Sequence, residues 1–412
     1  MADIVFGSGI SILGSISITP PPIAPGAPTI GTATATSDTT ATVTFTAPAS
    51  DGGATITTYT AISSPAGGTG TLNQAGSGTI NVTGLTDNTS YTFTVTATNI
   101  AGTSSPSASS NSITTPTVLP IRQAIFGYGA GPSGWLSITN LVSTTGVVAT
   151  DTAGVGTVRF GLAAAGYGGD KAIFGYGFGG EGAFLSLTNL VSNTGVVAND
   201  TSGVGTARVY LAAAAYGGDK ALFGFGATAF GVSGSYQGMT NLVSNTGVVA
   251  NNTAPMGLAR DDLAAAGYGT DKAIFGFGGD NINVNYTNLV SNTGVVANDV
   301  LGIGTARRQL AAASYGIDKA IFGYGNTGTK NTPVMTSITN LVSNTGVLAS
   351  DTTGVGFARN TLAAASYGTN KAIFGYGNGS VTNLVTNTGV VGNDVTGVGT
   401  GRGSLAATSF SS

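Results

Sequence analysis

The chain of 412 residues contains no cysteine and no histidine. Their absence removes disulfides, thiolate nucleophiles, zinc sites of the His/Cys kind and every Ser-His or Cys-His nucleophile pair. Charge is scarce too: Asp, Glu, Lys and Arg make up 8% of the residues, and the formal net charge is −3. With no basic run, nucleic-acid binding by phosphate neutralisation is not expected. No apolar run reaches the roughly 20 residues that a membrane span requires. Glutamate occurs once, at Glu181, and tryptophan once, at Trp135. Hydrolysis would therefore have to run on a carboxylate pair, as in glycosidases. Most aspartates instead recur at fixed places in a repeat: Asp170, Asp219, Asp271 and Asp318 at one, and Asp151, Asp200, Asp299, Asp351 and Asp394 at another. A residue repeated in copy after copy lacks the asymmetric surroundings that separate two carboxyl pKa values. The sequence reads as that of a non-enzymatic protein, with no cofactor and no metal site.

What is present points to β-structure. Apolar residues make up 41% and glycine numbers 67, with Val, Ile, Thr, Phe and Tyr throughout. Residues 1–19 hold ISILGSISIT, in which Ile10, Ile12, Ile16 and Ile18 alternate with small residues. This stretch has no Lys/Arg lead and carries Asp3, so it reads as a strand able to join a partner's sheet rather than as a secretory signal. PPPIAPGAP (20–28) is a stiff extended spacer. Residues 29–115 hold short alternating strands separated by turn chemistry such as SDGG (50–53), the pattern of a β-sandwich. Residues 116–120 form a second Pro-flanked linker.

The stretches TFTAPASDGGATITTYT and GLTDNTSYTFTVTATNIAG in that segment resemble the fibronectin type III domain. The resemblance implies a β-sandwich serving as a spacer, with Leu85 and Tyr91 at its tyrosine corner and Phe45 where the family has a tryptophan.

Residues 121–412 repeat one unit six times. Each copy has Phe-Gly-x-Gly (Phe126, Phe174, Phe223, Phe275, Phe322, Phe374), then Thr-Asn-Leu-Val, then an arginine (Arg159, Arg208, Arg260, Arg307, Arg359, Arg402). The Asn-to-Arg spacing is 19 in every copy and the Arg-to-Phe spacing is 15. All length variation falls between Phe-Gly-x-Gly and TNLV, where the distance runs from 8 to 17. Insertion tolerated at one point marks a rigid unit with one free loop. Four strands are expected per unit: LAAAxYG, KAIFGYG, SLTNLVS and GVVAND. That is the period of a β-propeller blade; a parallel β-helix is the rival. The array opens on KAIFGYG-type text at 123 and ends on LAAA-type text at 404–410, so the two ends complete one unit. The expected architecture is all-β: a six-bladed propeller closed by pairing of its terminal strands, after a β-sandwich and an N-terminal anchor strand.

The pattern R-x-x-LAAA-x-YG-x-DKAIFGYG resembles the Kelch repeat, although Gly-x-Gly replaces Gly-Gly and the family's tryptophan on the fourth strand is missing. Kelch-like repeats joined to a fibronectin type III module resemble structural and tail-fibre-like proteins of bacteriophages, especially cyanobacterial ones. The resemblance implies a virion protein exposed on the particle and made in the host cytoplasm, either a host-binding fibre or a capsid or tail decoration. Its implied partners are other virion proteins at the N-terminus and a host-surface glycan or protein. A bacterial surface adhesin is the alternative, and a polysaccharide-degrading enzyme a third. The variable loops emerge together on one rim and hold Trp135, Phe178, Glu181, Phe184, Phe230, Tyr236, Asp280, Tyr286 and Lys330, aromatic plates and sparse polar groups suited to a sugar or protein surface. The six arginines are read either as an anion-binding ring or as pairing groups between neighbouring units.

Overall fold

The computed structural model describes residues 20–116, 121–330, 332–377 and 379–411. The strand expected around Ile10, Ile12, Ile16 and Ile18 lies outside them. The described residues contain no helix, and so none long and apolar enough to cross a membrane. The chain divides into two compact units, Met1–Leu119 and Pro120–Ser412.

In the N-terminal unit the period-two text becomes antiparallel strands. Their path runs Thr29–Ala35, Thr40–Thr46, Gly78–Thr83, Thr69–Leu72, Thr58–Ser64, Ser90–Asn99 and Gly102–Thr103. Along Ser90–Asn99 every second side chain is buried, as alternation of Tyr, Phe, Val and Ala with Thr requires. Val43, Phe45, Tyr59, Ile80, Phe93 and Val95 form the centre of this core. Phe45 lies 4.2 Å from the Tyr59 ring, and the Tyr91 hydroxyl accepts the Thr86 N–H at 3.0 Å.

The second unit is six antiparallel sheets. In one, Ala163–Tyr167, Lys171–Gly179 and Phe184–Val191 lie side by side, and the other copies follow suit. In the sheet that holds both ends of the array, Ala406–Ser411 pairs with Arg122–Gly131, which pairs in turn with Gly134–Val142. The alanine-rich first strands touch in sequence, from Ala163–Tyr167 through each copy to Ala406–Ser411, and the last touches the first again.

The expected fourth strand differs from the expectation. GVVAND is not continuous: beside Gly134–Val142, only Val142↔Val148 and Thr139↔Thr152 form backbone bridges. Between them the Asn140 side chain enters the ladder, its Nδ2 donating to the Ala149 carbonyl at 3.0 Å and to Asp151 at 2.8 Å. An amide takes the place of a backbone donor and holds the outer segment off by its own length.

Six apolar cores lie between consecutive sheets instead of one at a common centre. The Phe of each Phe-Gly-x-Gly packs over the first glycine of the preceding sheet. A Cβ on Gly175 would stand 2.6 Å from the Phe223 ring, and one on Gly375 would stand 2.7 Å from Phe126. The residue between the two glycines has a left-handed backbone, from φ 63 at Tyr128 to φ 68 at Tyr376, and its ring carries the next arginine. Arg159 lies 4.3 Å from the centre of the Tyr128 ring, and Arg402 lies 4.4 Å from Tyr376.

Candidate binding face

Each repeated arginine is buried, from 0% exposed at Arg159 to 3% at Arg359. Stacked on the aromatic ring of one sheet, it donates to the TNLV asparagine of the next: Arg159 to Asn189 at 2.5 Å, Arg402 to Asn140 at 2.7 Å. Five of the six also face an aspartate, from 3.2 Å for Arg260–Asp299 to 4.0 Å for Arg402–Asp151. Burial works to raise the Asp151 carboxyl, but hydrogen bonds from Thr400 and Asn140 outweigh it and hold it below the usual range. Burial pushes the Arg260 and Arg307 guanidiniums down to about 10, so both stay charged at neutral pH. Of the two readings of the arginines, the pairing one describes them; no guanidinium in this set reaches solvent to hold an anion.

Because the arginine is fixed, the two residues after it are fixed as well. The first bridges to the base of the variable loop: Phe160↔Phe178, Val209↔Ala227, Asp261↔Gly279, Arg308↔Asn326 and Gly403↔Ala130. The second is Gly161, Tyr210, Asp262, Gln309, Thr361 or Ser404, and all six have left-handed φ between 51 and 63. Their backbones join in a cycle. Tyr210 N–H donates to Gly161 O at 2.7 Å, Asp262 to Tyr210 at 3.0 Å, Gln309 to Asp262 at 2.8 Å, Thr361 to Gln309 at 2.9 Å, Ser404 to Thr361 at 2.8 Å and Gly161 to Ser404 at 2.8 Å. These six residues line one small cavity of about 70 Å³ together with the leucine that follows each. The cycle and the variable loops therefore share one face.

One half of this face is aromatic. Trp135 lies 5.2 Å from Phe160 and 5.4 Å from Phe178; Phe230 lies 4.8 Å from Phe178, 5.1 Å from Phe184 and 6.0 Å from Tyr210. Four expected residues, Trp135, Phe178, Phe184 and Phe230, thus meet, and Phe230 is 46% exposed. The other half is polar. The Lys330 ammonium lies 3.4 Å from Asp261 and 5.4 Å from the centre of the Tyr236 ring. Tyr236 is only 8% exposed, so it forms floor rather than contact surface. Asp280 is half-buried and accepts the N–H groups of Asn281 and Ile282, an arrangement that shapes its own loop. Tyr286 opens the third strand of its sheet opposite Leu301, and Glu181 is exposed. Among the described residues no ring contact links Tyr286 to the aromatic group.

Sequence reasoning missed Phe160, Tyr210, Asp261, Asp262, Arg308 and Gln309. The sign was present. The two positions after the constant arginine read Phe-Gly, Val-Tyr, Asp-Asp, Arg-Gln, Asn-Thr and Gly-Ser, inside a segment whose length never changes. Variation without insertion marks side chains that differ on a fixed backbone. At Asp262, burial and then the neighbouring Asp261 push the carboxyl up to about 7. Asp261 is also raised, by burial first, against the lowering pull of Lys330 and Arg308.

Residues 26–113 match the model of the fibronectin type III domain, so the N-terminal unit carries one. A search of curated proteins finds no match to the chain.

Proposed function

We propose that residues 121–412 form a closed, six-bladed Kelch-like propeller, and that the protein is a non-enzymatic binding protein exposed on a bacteriophage particle. The propeller reading draws its support from the terminal strand pairing and from the cycle of six backbone hydrogen bonds. The binding reading rests on one observation. Length variation is confined to loops that share a face with the varied positions after the arginines, and there it gathers an aromatic patch and a polar cluster over a repeated frame. Relief from constraint alone would scatter loop residues without assembling them. In this reading residues 1–19 join a virion partner's sheet, the fibronectin type III domain acts as spacer, and the face contacts a host glycan or protein. The spacer, the low charge and the repeat array support placement on a particle.

The test has two arms. Mass spectrometry of purified particles should find the protein, and deletion of residues 1–19 should remove it. Trp135→Ala combined with Phe230→Ala should weaken adsorption to host cells while leaving thermal unfolding unchanged. Adsorption equal to that of the unaltered protein would refute the binding role, and absence from particles would favour the surface adhesin.

A further inference from the structure

We propose that the polar half of this face is a subsite for one neutral sugar ring, which lies with its apolar side on Phe230 and directs its hydroxyls at Asp261, Gln309 and Lys330. The proposal names the ligand class of the binding face described above and rests on that reading.

A cavity of about 370 Å³ opens here, lined by Tyr210, Phe230, Asp261, Asp262, Gln309 and Lys330 among others. That is near the lower end of the range for small-molecule sites, about 300–1,000 Å³. One residue of its wall carries a buried polar atom without a partner. Asp261 is 2% exposed, and its Oδ1 accepts no hydrogen bond from the protein. Behind the wall Arg308, which acts electrostatically on Asp261 without lining the cavity, is 1% exposed, its Nε donating to Asn283. Buried polar atoms are normally matched, and the unmatched carboxylate oxygen of Asp261 beside the cavity is an acceptor left over for a ligand's donor.

Charge narrows the choice. Two carboxyls, Asp261 and Asp262, sit against two cations, Lys330 and Arg308. An anionic ligand would meet the carboxyls and a cationic one the Lys330 ammonium, each at short range and low dielectric. A neutral molecule rich in hydroxyls uses both kinds of group, since each hydroxyl donates to a carboxylate and accepts from an ammonium. The exposed Phe230 ring and the Tyr210 ring next to it offer the flat apolar surface that the C–H face of a sugar needs. The repeat shows that the frame does not need this chemistry. Gly403 and Ser404 occupy the matching positions elsewhere and keep the same backbone cycle.

The experiment is titration of the full chain by NMR with the methyl glycosides of glucose, galactose and mannose at millimolar concentration. N-acetylneuraminic acid and glucosamine serve as charged comparators. At least one neutral glycoside should bind, with saturation transfer strongest at its ring C–H protons. Phe230→Ala and Asp261→Asn should each weaken it about tenfold or more. No binding by any neutral glycoside would overturn the proposal. So would stronger binding by a charged comparator, or binding unchanged in both variants while their thermal unfolding matches the parent. Cell adsorption separates this idea from the broader one. Adsorption that survives Asp261→Asn but fails in Trp135→Ala with Phe230→Ala sinks the sugar subsite and keeps the face; glycoside binding without any adsorption does the reverse.

Discussion

Arg208 is the exception among the six clip arginines. The position filled by Asp in the other five copies is Asn252, so among the described residues this guanidinium alone of the six has no ion pair. It is fully buried, with Nε and Nη1 unpartnered. Asn252 already sits in the aspartate's place, its Oδ1 accepting from Asn241 at 3.0 Å and from Thr206 N–H at 3.1 Å. Asn252→Asp should therefore stabilise the protein by about 1 kcal/mol, roughly 2 °C in the unfolding midpoint by calorimetry. Asp262 supplies a second test. It is faced by Asp261, Lys330, Arg308 and Tyr210, and its carboxyl is raised to about 7 from an ordinary value of 3.8. Between those values the native state binds more protons than the unfolded chain, so stability falls as pH rises from about 4 to 7 and levels off above. Asp151, Asp200 and Asp351 are held low and act the other way, losing their contribution as pH drops below the ordinary carboxylate range. Urea unfolding across pH 3–9 should show a maximum near pH 4–5, and Asp262→Asn should flatten its alkaline side. Spacing made the arginines legible as fixed points. Pairing between neighbouring units was one of two readings the sequence left open, and the stacking on one sheet with bonding to the next, a relation between copies, was not legible.

A strand needs its neighbours' backbones, and the unit's elements came through the sequence according to how far they depend on backbone alone. The first three strands follow their text closely, as in Lys171–Gly179 for KAIFGYGFG. The fourth failed because the asparagine of TNLV competes with the ladder, and the text of GVVAND carries no sign of an intruding side chain. Phe-Gly-x-Gly is the counterpart at the middle strand. Its first glycine is required by the phenylalanine of the following sheet, and the rings sit too near for any Cβ. Gly224→Ala would set a methyl 2.7 Å from the Phe275 ring. The expected cost is about 1–3 kcal/mol, read from thermal unfolding, and Phe275→Leu in the same chain should recover part of it.

At the level of the molecule, repetition and individuality separate cleanly. The Phe-over-Gly contacts, the arginine clips and the hydrogen-bond cycle each recur from copy to copy, and the copy containing both ends of the array joins in through Arg402, Asn140 and Gly375. The constant spacings announced a rigid repeated unit, though not these particular contacts. The chemistry of the face was less visible, since Asp261 and Lys330 are 69 residues apart and meet only through the frame. Deleting residues 404–412 would strip the pairing from Arg122–Gly131 and leave that strand as an open edge of its sheet. The shortened chain should unfold at lower urea with a broader transition, and size-exclusion chromatography should show self-association.

The pairing of Arg122–Gly131 bears on mechanics. The chain enters the array from the linker directly into this segment, which lies between Gly134–Val142 on one side and Ala406–Ser411 on the other. A pull through the linker, resisted by a ligand held where the segment ends, would run lengthwise along it. Hydrogen bonds on both flanks would then share the load in shear and fail together, whereas a tether on an outer segment would peel them one at a time. On the proposed binding reading, the central position of Arg122–Gly131 would suit the array to holding on under tension.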